Sequence, residues 1–308
     1  MGFFPWSRRR KKKDAWENAP APPPRPDAGM GRASVPGHTL QPSPESDAAG
    51  REAVKPLLGY QVANLQGLGT CERQEDAFAF ANVMDVTMIR EKGLFAVVAD
   101  GMGGMKDGRL ASETVVSSIR QDFGDFDYQS DLALQLRESF SRANEKAFAL
   151  LGGEGGSTAV VCLIYQERLY FASVGDSYLY LKRNDQLFRL NRPQNVQHEL
   201  YLEAIRSGVM DPSMAIQDPE RAALTQFLGI DLLEDVDYFR RPLPLMSGDV
   251  LLLCSDGVAG GLKEEQLLEG MAMPTPQEMC NALEQMVKQI SAGQYQDNYT
   301  ALIIQCKY

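Results

Sequence analysis

Six apolar, β-rich runs limit the folds open to this chain. They lie at 76–83, 93–99, 157–165, 168–174, 249–254 and 299–306, and their composition is that of strands packed on a core. Only the polar pair Gln166-Glu167 separates the third run from the fourth, a link short enough to require an antiparallel hairpin. Two further segments repeat apolar residues at spacings of three and four, as amphipathic helices do. Leu132, Leu136, Phe140, Ala143 and Ala147 mark one over 131–151, and Met279, Leu283, Met286 and Ile290 mark the other over 275–292. Strands and helices do not alternate one for one, which argues against a doubly wound parallel sheet. The expected class is α+β, with two antiparallel sheets covered by helices.

Residues 1–56 follow another pattern. They hold ten prolines and little that could form a core, so they are expected to be a disordered tail, basic and then proline-rich, ahead of a folded domain over 57–308. The tail carries ten Lys/Arg against six Asp/Glu, and the rest of the chain 21 against 35. The net charge of −10 therefore hides a basic end on an acidic body. Such a body argues against nucleic acid as its main partner and suits a protein that gathers cations. Phe3, Phe4 and Trp6 precede the run Arg8 to Lys13; residues 1–13 read as a weak tether to an anionic membrane surface. They do not form a secretory signal, because the basic run follows the apolar residues. The expected location is the cytoplasm, with the tether placing the protein peripherally at the inner face of the membrane. Five scattered cysteines without a C-x-x-C pair read as thiols in a reducing compartment. Two histidines, His38 and His198, leave almost nothing for a zinc site or a Ser/His/Asp triad. Catalysis must run on carboxylates.

Four acidic motifs stand at the margins of the strand-like runs: Arg73-Gln74-Glu75-Asp76, Asp100-Gly101-Met102-Gly103-Gly104, Ser255-Asp256-Gly257 and Asp297-Asn298. A strand end holds a carboxylate rigidly where it can still meet solvent, metal and substrate. Glycine after the aspartate lets the backbone approach a ligand closely. Hard oxygen donors from separate segments, without His or Cys, suit Mg2+ or Mn2+.

Taken in order, these motifs resemble those of the metal-dependent serine/threonine protein phosphatases of the PPM (protein phosphatase 2C) family. The resemblance extends over roughly 58–308 and includes Gly156-Ser157-Thr158-Ala159, Gly175-Asp176-Ser177, Ser247-Gly248-Asp249 and Asp218 to Gly229. Met102 in the second motif is similar to the bacterial branch. The resemblance implies a four-layer α/β/β/α sandwich with a metal centre at one end, and two Mn2+ or Mg2+ ions there. Asp100 would bridge them and the Gly101 carbonyl would complete one. Asp256 and Asp297 would hold the other, Glu75 and Asp76 would act through waters, and Asp176 with Asp256 would take a third, looser ion. The implied activity is hydrolysis of phosphoserine or phosphothreonine in proteins by a metal-activated water. The implied partners are phosphoprotein substrates and an opposing serine/threonine kinase.

Three departures bear on that reading. Eukaryotic relatives carry His where Met102 stands. The family's phosphate-gripping Arg falls at Cys71, and its Asn at Gln74. Arg73 lies two residues further on; in an extended strand it would face the same way as position 71, so it is expected to replace the missing clamp. Cys71 itself reads as a small strand residue, since only Arg73 is close enough in sequence to activate its thiol. Finally, Tyr178 follows Gly-Asp-Ser where the family has Arg, and Arg192-Pro-Gln194-Asn195 replaces its Asp-His-Ser. Loss of the arginine at position 71 leaves one alternative, a catalytically weak, metal-stabilised pseudophosphatase that binds phosphoproteins.

Overall fold

Antiparallel pairing runs through two sheets. The computed structural model of the protein describes residues 57–102, 107–208 and 211–308; the expected disordered tail, with its tether reading for residues 1–13, lies outside them. One sheet has the order β1 (Gly59–Gly67), β11 (Tyr299–Lys307), β10 (Val250–Cys254), β6 (Tyr178–Arg183), β7 (Gln186–Arg189). The other runs β2 (Ala77–Ala81), β3 (Leu94–Ala99), β4 (Ala159–Tyr165), β5 (Arg168–Val174), β8 (Asp237–Tyr238), with β9 (Leu243–Pro244) also paired to β5. The helices are α1 (Val86–Lys92), α2 (Gly108–Gly124), α3 (Leu132–Leu151), α4 (Val196–Ser207), α5 (Asp256–Ala259), α6 (Glu264–Gly270) and α7 (Pro276–Ile290).

Side-chain alternation along the central strands sorts the apolar residues into three cores. Val160, Cys162 and Ile164 of β4 join Leu94, Ala96 and Val98 of β3 and meet Leu251, Leu253, Leu302 and Ile304 of the facing sheet. The other face of the same strands, with Phe95, Val97, Val161 and Leu163, packs on Val115 and Ile119 of α2 and Leu136 and Phe140 of α3. Across the molecule, Val250, Leu252, Ala301 and Ile303 pack on Leu267 of α6 and Met279 and Leu283 of α7. Strands covered on both faces need continuous apolar sequence, which is why these runs were readable without a period of two. The result is the expected four-layer sandwich. A fully buried side chain such as Phe140 contributes roughly 2–3 kcal/mol through removal from water.

Local signals set the element ends. Asp131 caps α3 by accepting from the amides of Ala133 and Leu134, and Gly152 closes it in a left-handed conformation (φ 63°). Thr275 and Glu278 form a reciprocal capping box at the start of α7. The 165–168 hairpin is tight, with Gln166 and Glu167 both at positive φ (51° and 58°), the conformation whose twist matches the flanking strands. Strands β1, β6 and β7 and helices α2 and α4 carry weaker apolar patterns, diluted by Gln61, Asn64 and Gln66 in β1 and by Ser112, Thr114, Ser117 and Ser118 in α2.

Candidate active site

The strand registers bring the acidic motifs to one end of both sheets. Ala77 pairs with Ala99, so Asp76 and Asp100 lie side by side. Cys254 pairs with Ala301, which sets Asp256 beside Asp297. Ala159 pairs with Val174 and puts the Gly175-Asp176 turn at the same end. The expected convergence of Glu75, Asp76, Asp100, Gly101, Asp176, Asp256 and Asp297 is therefore a consequence of ladder geometry.

A hydrogen-bonded frame holds these groups. Thr158 Oγ1 accepts from the Asp100 amide at 3.1 Å, and the Thr158 amide donates to the Asp100 carbonyl at 2.8 Å. The Gly101 amide donates to the Glu75 carbonyl at 3.2 Å. The Glu75 amide donates to Asn298 Oδ1 at 2.7 Å. Ser255 Oγ donates to Asp76 Oδ2 at 2.8 Å and accepts from the Thr300 amide at 3.0 Å, a stitch between the two sheets. Two glycines are required by close approach rather than by φ. A Cβ on Gly101 would stand 2.1 Å from the Gly108 carbonyl oxygen, and one on Gly257 1.9 Å from that of Asn298. The motifs gave the acids and glycines; the holding roles of Ser255, Asn298 and Thr300 were not singled out. Their signal is polarity inside apolar strand margins, for all three are buried.

Burial and mutual repulsion decide the electrostatics. Asp100, Asp176 and Asp256 keep a little solvent access while ringed by protein atoms. Burial, then the fields of Asp76, Asp256, Asp176 and Asp297, hold the Asp100 carboxyl well above the ordinary range. Burial pushes Asp76 up to about 6 against the hydrogen bonds of Thr300 and Ser255. Burial and Asp256 push Asp176 up to about 6, opposed by Arg189 and a hydrogen bond with Asn195. Asp256 is raised by burial and Asp297, and hydrogen-bonds to Asp100. Glu75 is raised by burial, Asp297 and Asp107, with Arg73 pulling the other way.

The donor set fits hard divalent cations. It is all oxygen, Asp76 Oδ1 is buried without a partner, and carboxyls that repel one another are drawn into one cleft. Among the described residues no three such groups stand close enough together to enclose an ion unaided.

The first motif departs from expectation. Cys71 to Glu75 form a bend ahead of β2, not an extended strand, so the same-face argument for Arg73 fails. Arg73 is exposed on that bend, near enough to act on Glu75. Cys71 lies in a loop, its Sγ 3.3 Å from Asp297 Oδ1 and 3.5 Å from the Tyr295 hydroxyl; burial and Asp297 keep the thiol's pKa raised. The other four cysteines are buried and free, as expected. Gly103 and Gly104 lie outside the described residues. Near Asp176, Arg189 was missed by sequence reasoning. From β7 it reaches across to lie 4.0 Å over the Tyr178 ring and donates from Nη2 to the Asp176 carbonyl at 3.1 Å. An arginine thus serves the Gly-Asp-Ser turn from the neighbouring strand.

Fold and site together define a carboxylate-centred sandwich of the protein-phosphatase type. Residues 66–206 match the family model of protein phosphatase 2C, and 210–307 that of stage II sporulation protein E. The two matched segments interleave in the same sheets, β10 of the second lying beside β6 of the first, so they are consecutive parts of one domain. The serine/threonine phosphatase stp of Listeria innocua is 26% identical over 224 residues, 70% of this chain and 86% of that protein. The PPM Ser-Thr phosphatase MsPP of Mycobacterium smegmatis, solved with cacodylate, has 26% identity and a TM-score of 0.64, covering 80% of this chain and 97% of that one. The catalytic domain of the phosphatase PstP, solved with 2 manganese ions, shares the fold at 23% identity and a TM-score of 0.63, with 82% and 100% covered. Over residues 66–206, a little under half of its length, and through its fold the chain is similar to the phosphatases of the PPM (protein phosphatase 2C) family.

Proposed function

We propose that the protein is a metal-dependent phosphatase of phosphoserine and phosphothreonine in proteins. One observation carries this reading: aspartates 76, 100, 176 and 256 are gathered with Asp297 at one end of both sheets, where burial and repulsion resist the ionisation of the first four. Uncompensated, such a cluster costs stability, so its retention calls for cations. Asp100, the Gly101 carbonyl, Asp256 and Asp297 would hold two Mn2+ or Mg2+ ions, with Glu75 and Asp76 acting through waters and Asp176 serving a third. When bound, such cations neutralise phosphoryl oxygens and acidify water for in-line attack. The chain's own residues position and shield. Ser255 orients Asp76, Thr158 and Ser157 fix the Asp100 backbone, and the cation of Arg73 lies at the rim, where a phosphate dianion would arrive.

Relatives are called serine/threonine phosphatases, and the catalytically weak alternative draws no support from them. A serine/threonine kinase would supply the substrate. Among the described residues no helix is long and apolar enough to cross a membrane.

The test is hydrolysis of p-nitrophenyl phosphate and a phosphothreonine peptide with Mn2+, Mg2+ or EDTA. Turnover that needs a divalent cation and disappears in Asp100→Asn and Asp256→Asn is the expected result. A folded protein that binds Mn2+ but turns over neither compound would hand the site to the binding-module reading.

A further inference from the structure

Resting on the phosphatase reading, we propose that the free edge of β2 is the docking groove for an extended segment of the phosphoprotein substrate. The four sheet edges differ. β1 carries Gln61, Asn64 and Gln66; β7 has four residues between Gln186 and Arg189; β8 has two and includes Asp237. Polar side chains and short length are the usual protections of an edge. β2 reads Ala-Phe-Ala-Phe-Ala over five residues, all half-buried, with no polar side chain. It pairs with β3 alone. Among the described residues no further strand bonds to its outer backbone groups.

Beside that edge lies a cavity of about 890 Å³, within the range of built ligand sites. Ala77, Phe78 and Ala79 form one wall, and Val116, Ser117 and Arg120 of α2 the other. Asp76 also lines it, so the groove reaches one carboxylate of the candidate site. Arg109 also faces it, paired with Glu113 at 2.8 Å. Arg120 is exposed and has no ion pair among the described residues. With Arg109 neutralised by Glu113, Arg120 is the lining cation left to meet an acidic residue of an added strand.

A strand added here would gain main-chain hydrogen bonds from β2 and side-chain selectivity from α2. β2 runs away from Asp76, and antiparallel pairing is the rule in this fold. The flank N-terminal to the phosphoresidue would then occupy the groove, leaving the phosphate at the Asp76 end. Five residues, the length of β2, would fill it.

The experiment uses the full chain with Mn2+. Two phosphothreonine peptides are compared, one bare on its N-terminal side and one extended there by five residues that include an aspartate, with p-nitrophenyl phosphate alongside. Wild type should prefer the extended peptide by about tenfold in kcat/KM. Ser117→Trp, which fills the groove from an exposed helix position, should remove that preference and leave p-nitrophenyl phosphate turnover unchanged. Arg120→Glu should shift the preference toward a lysine-bearing flank, and serves if the tryptophan variant does not fold. Equal kcat/KM for both peptides in wild type overturns the proposal. So does a dimer in sedimentation that Ser117→Trp dissolves, because the edge then belongs to a second copy. So does a preference that emerges only after deletion of residues 1–56, because the tail then occupies the groove. If p-nitrophenyl phosphate is not hydrolysed at all, the phosphatase reading fails on its own. The groove is then judged by fluorescence anisotropy of the labelled extended peptide, which must bind wild type and lose affinity for Ser117→Trp.

Discussion

Asp100, Asp256 and Asp297 stand at strand margins whose neighbours are dictated by register, whereas Cys71, Arg73 and Asn195 stand in bends and caps that no ladder fixes. The two regions meet at one cleft but differ in how far they follow the family. The floor keeps each acid and each glycine of the four motifs that carry the resemblance. The rim has exchanged its phosphate arginine for Cys71, its Gly-Asp-Ser arginine for Tyr178, and its Asp-His-Ser segment for Pro-Gln-Asn. A floor group is held from several directions at once: Asp76 by Ser255 of the other sheet, Asp100 by Thr158 of the next strand. A rim group can be replaced if a nearby chain segment takes over, as Arg189 does above Tyr178.

The largest expected effect tests the floor. Asp100→Asn should lower kcat by about a thousandfold or more if Asp100 holds the cations. The same change removes a buried, repelled charge, so thermal stability in EDTA should rise or stay level. Loss of activity together with a drop in Tm would instead make Asp100 a structural residue.

The metal-free floor should also invert the usual pH dependence of stability. Asp76 and Asp176 are raised from an ordinary 3.8 to about 6. Between those values the native state holds more protons than the unfolded one, so stability falls as pH rises through 6. For one such deeply buried group the loss is on the order of 3 kcal/mol, and coupling prevents simple addition. In EDTA, Tm should therefore decline from about pH 5 to pH 7, and Mn2+ should cancel the decline. His198, on the rim in α4, has the opposite sign. Burial and the charges of Arg192 and Arg189 lower its pKa, so its contribution is present above its unfolded pKa and fades as pH falls; being half-exposed, it acts more weakly. A metal-free protein whose Tm rises across the whole range would show that the floor carboxylates are not repelled as described.

Floor and rim were also unequally legible. The strands that carry Asp100 and Asp256 are continuous apolar runs, and a carboxylate followed by glycine at their ends is visible without any structure. The mutual approach of those ends was not visible, because it depends on registers between residues as distant as Cys254 and Ala301, and only the resemblance supplied it. On the rim, extending the strand pattern back through Arg73 gave the wrong conformation. The bend there is imposed by tertiary contacts, Glu75 on Asn298 and Gln74 Nε2 on the Gly67 carbonyl, which a local window cannot contain. Arg189 was passed over because it contacts Tyr178 and Asp176 across two strands; the one clue was an arginine on a strand following an unusual Gly-Asp-Ser-Tyr.

If the rim is a place of substitution, Arg189 should matter for stability more than for chemistry. Its stacking on Tyr178 and its bond to the Asp176 carbonyl together contribute about 1–2 kcal/mol. Arg189→Gln should lose that amount in urea unfolding, with kcat at saturating Mn2+ changed only a few-fold. Arg189→Lys should recover part of it. A kcat collapse at full stability would move Arg189 to the floor side of the comparison.

Arg73 gives the smallest effect and the finest test of the rim. It is exposed and lies on a bend, so a phosphate contact from it is solvent-screened and contributes little compared with a buried clamp. Arg73→Ala should raise KM for the phosphothreonine peptide about fivefold and leave kcat within about twofold, the pattern of lost ground-state binding. Lys182→Ala, a cation elsewhere on the surface of β6, should change neither. Equal, small changes in both variants would remove Arg73 from the site. Cys71→Arg then separates the two remaining possibilities. If the bend still presents position 71 to the phosphate, restoring the family's arginine there lowers KM below wild type. If KM does not fall, the bend has moved the position out of reach, and the protein meets its substrate phosphate without an arginine from the first motif.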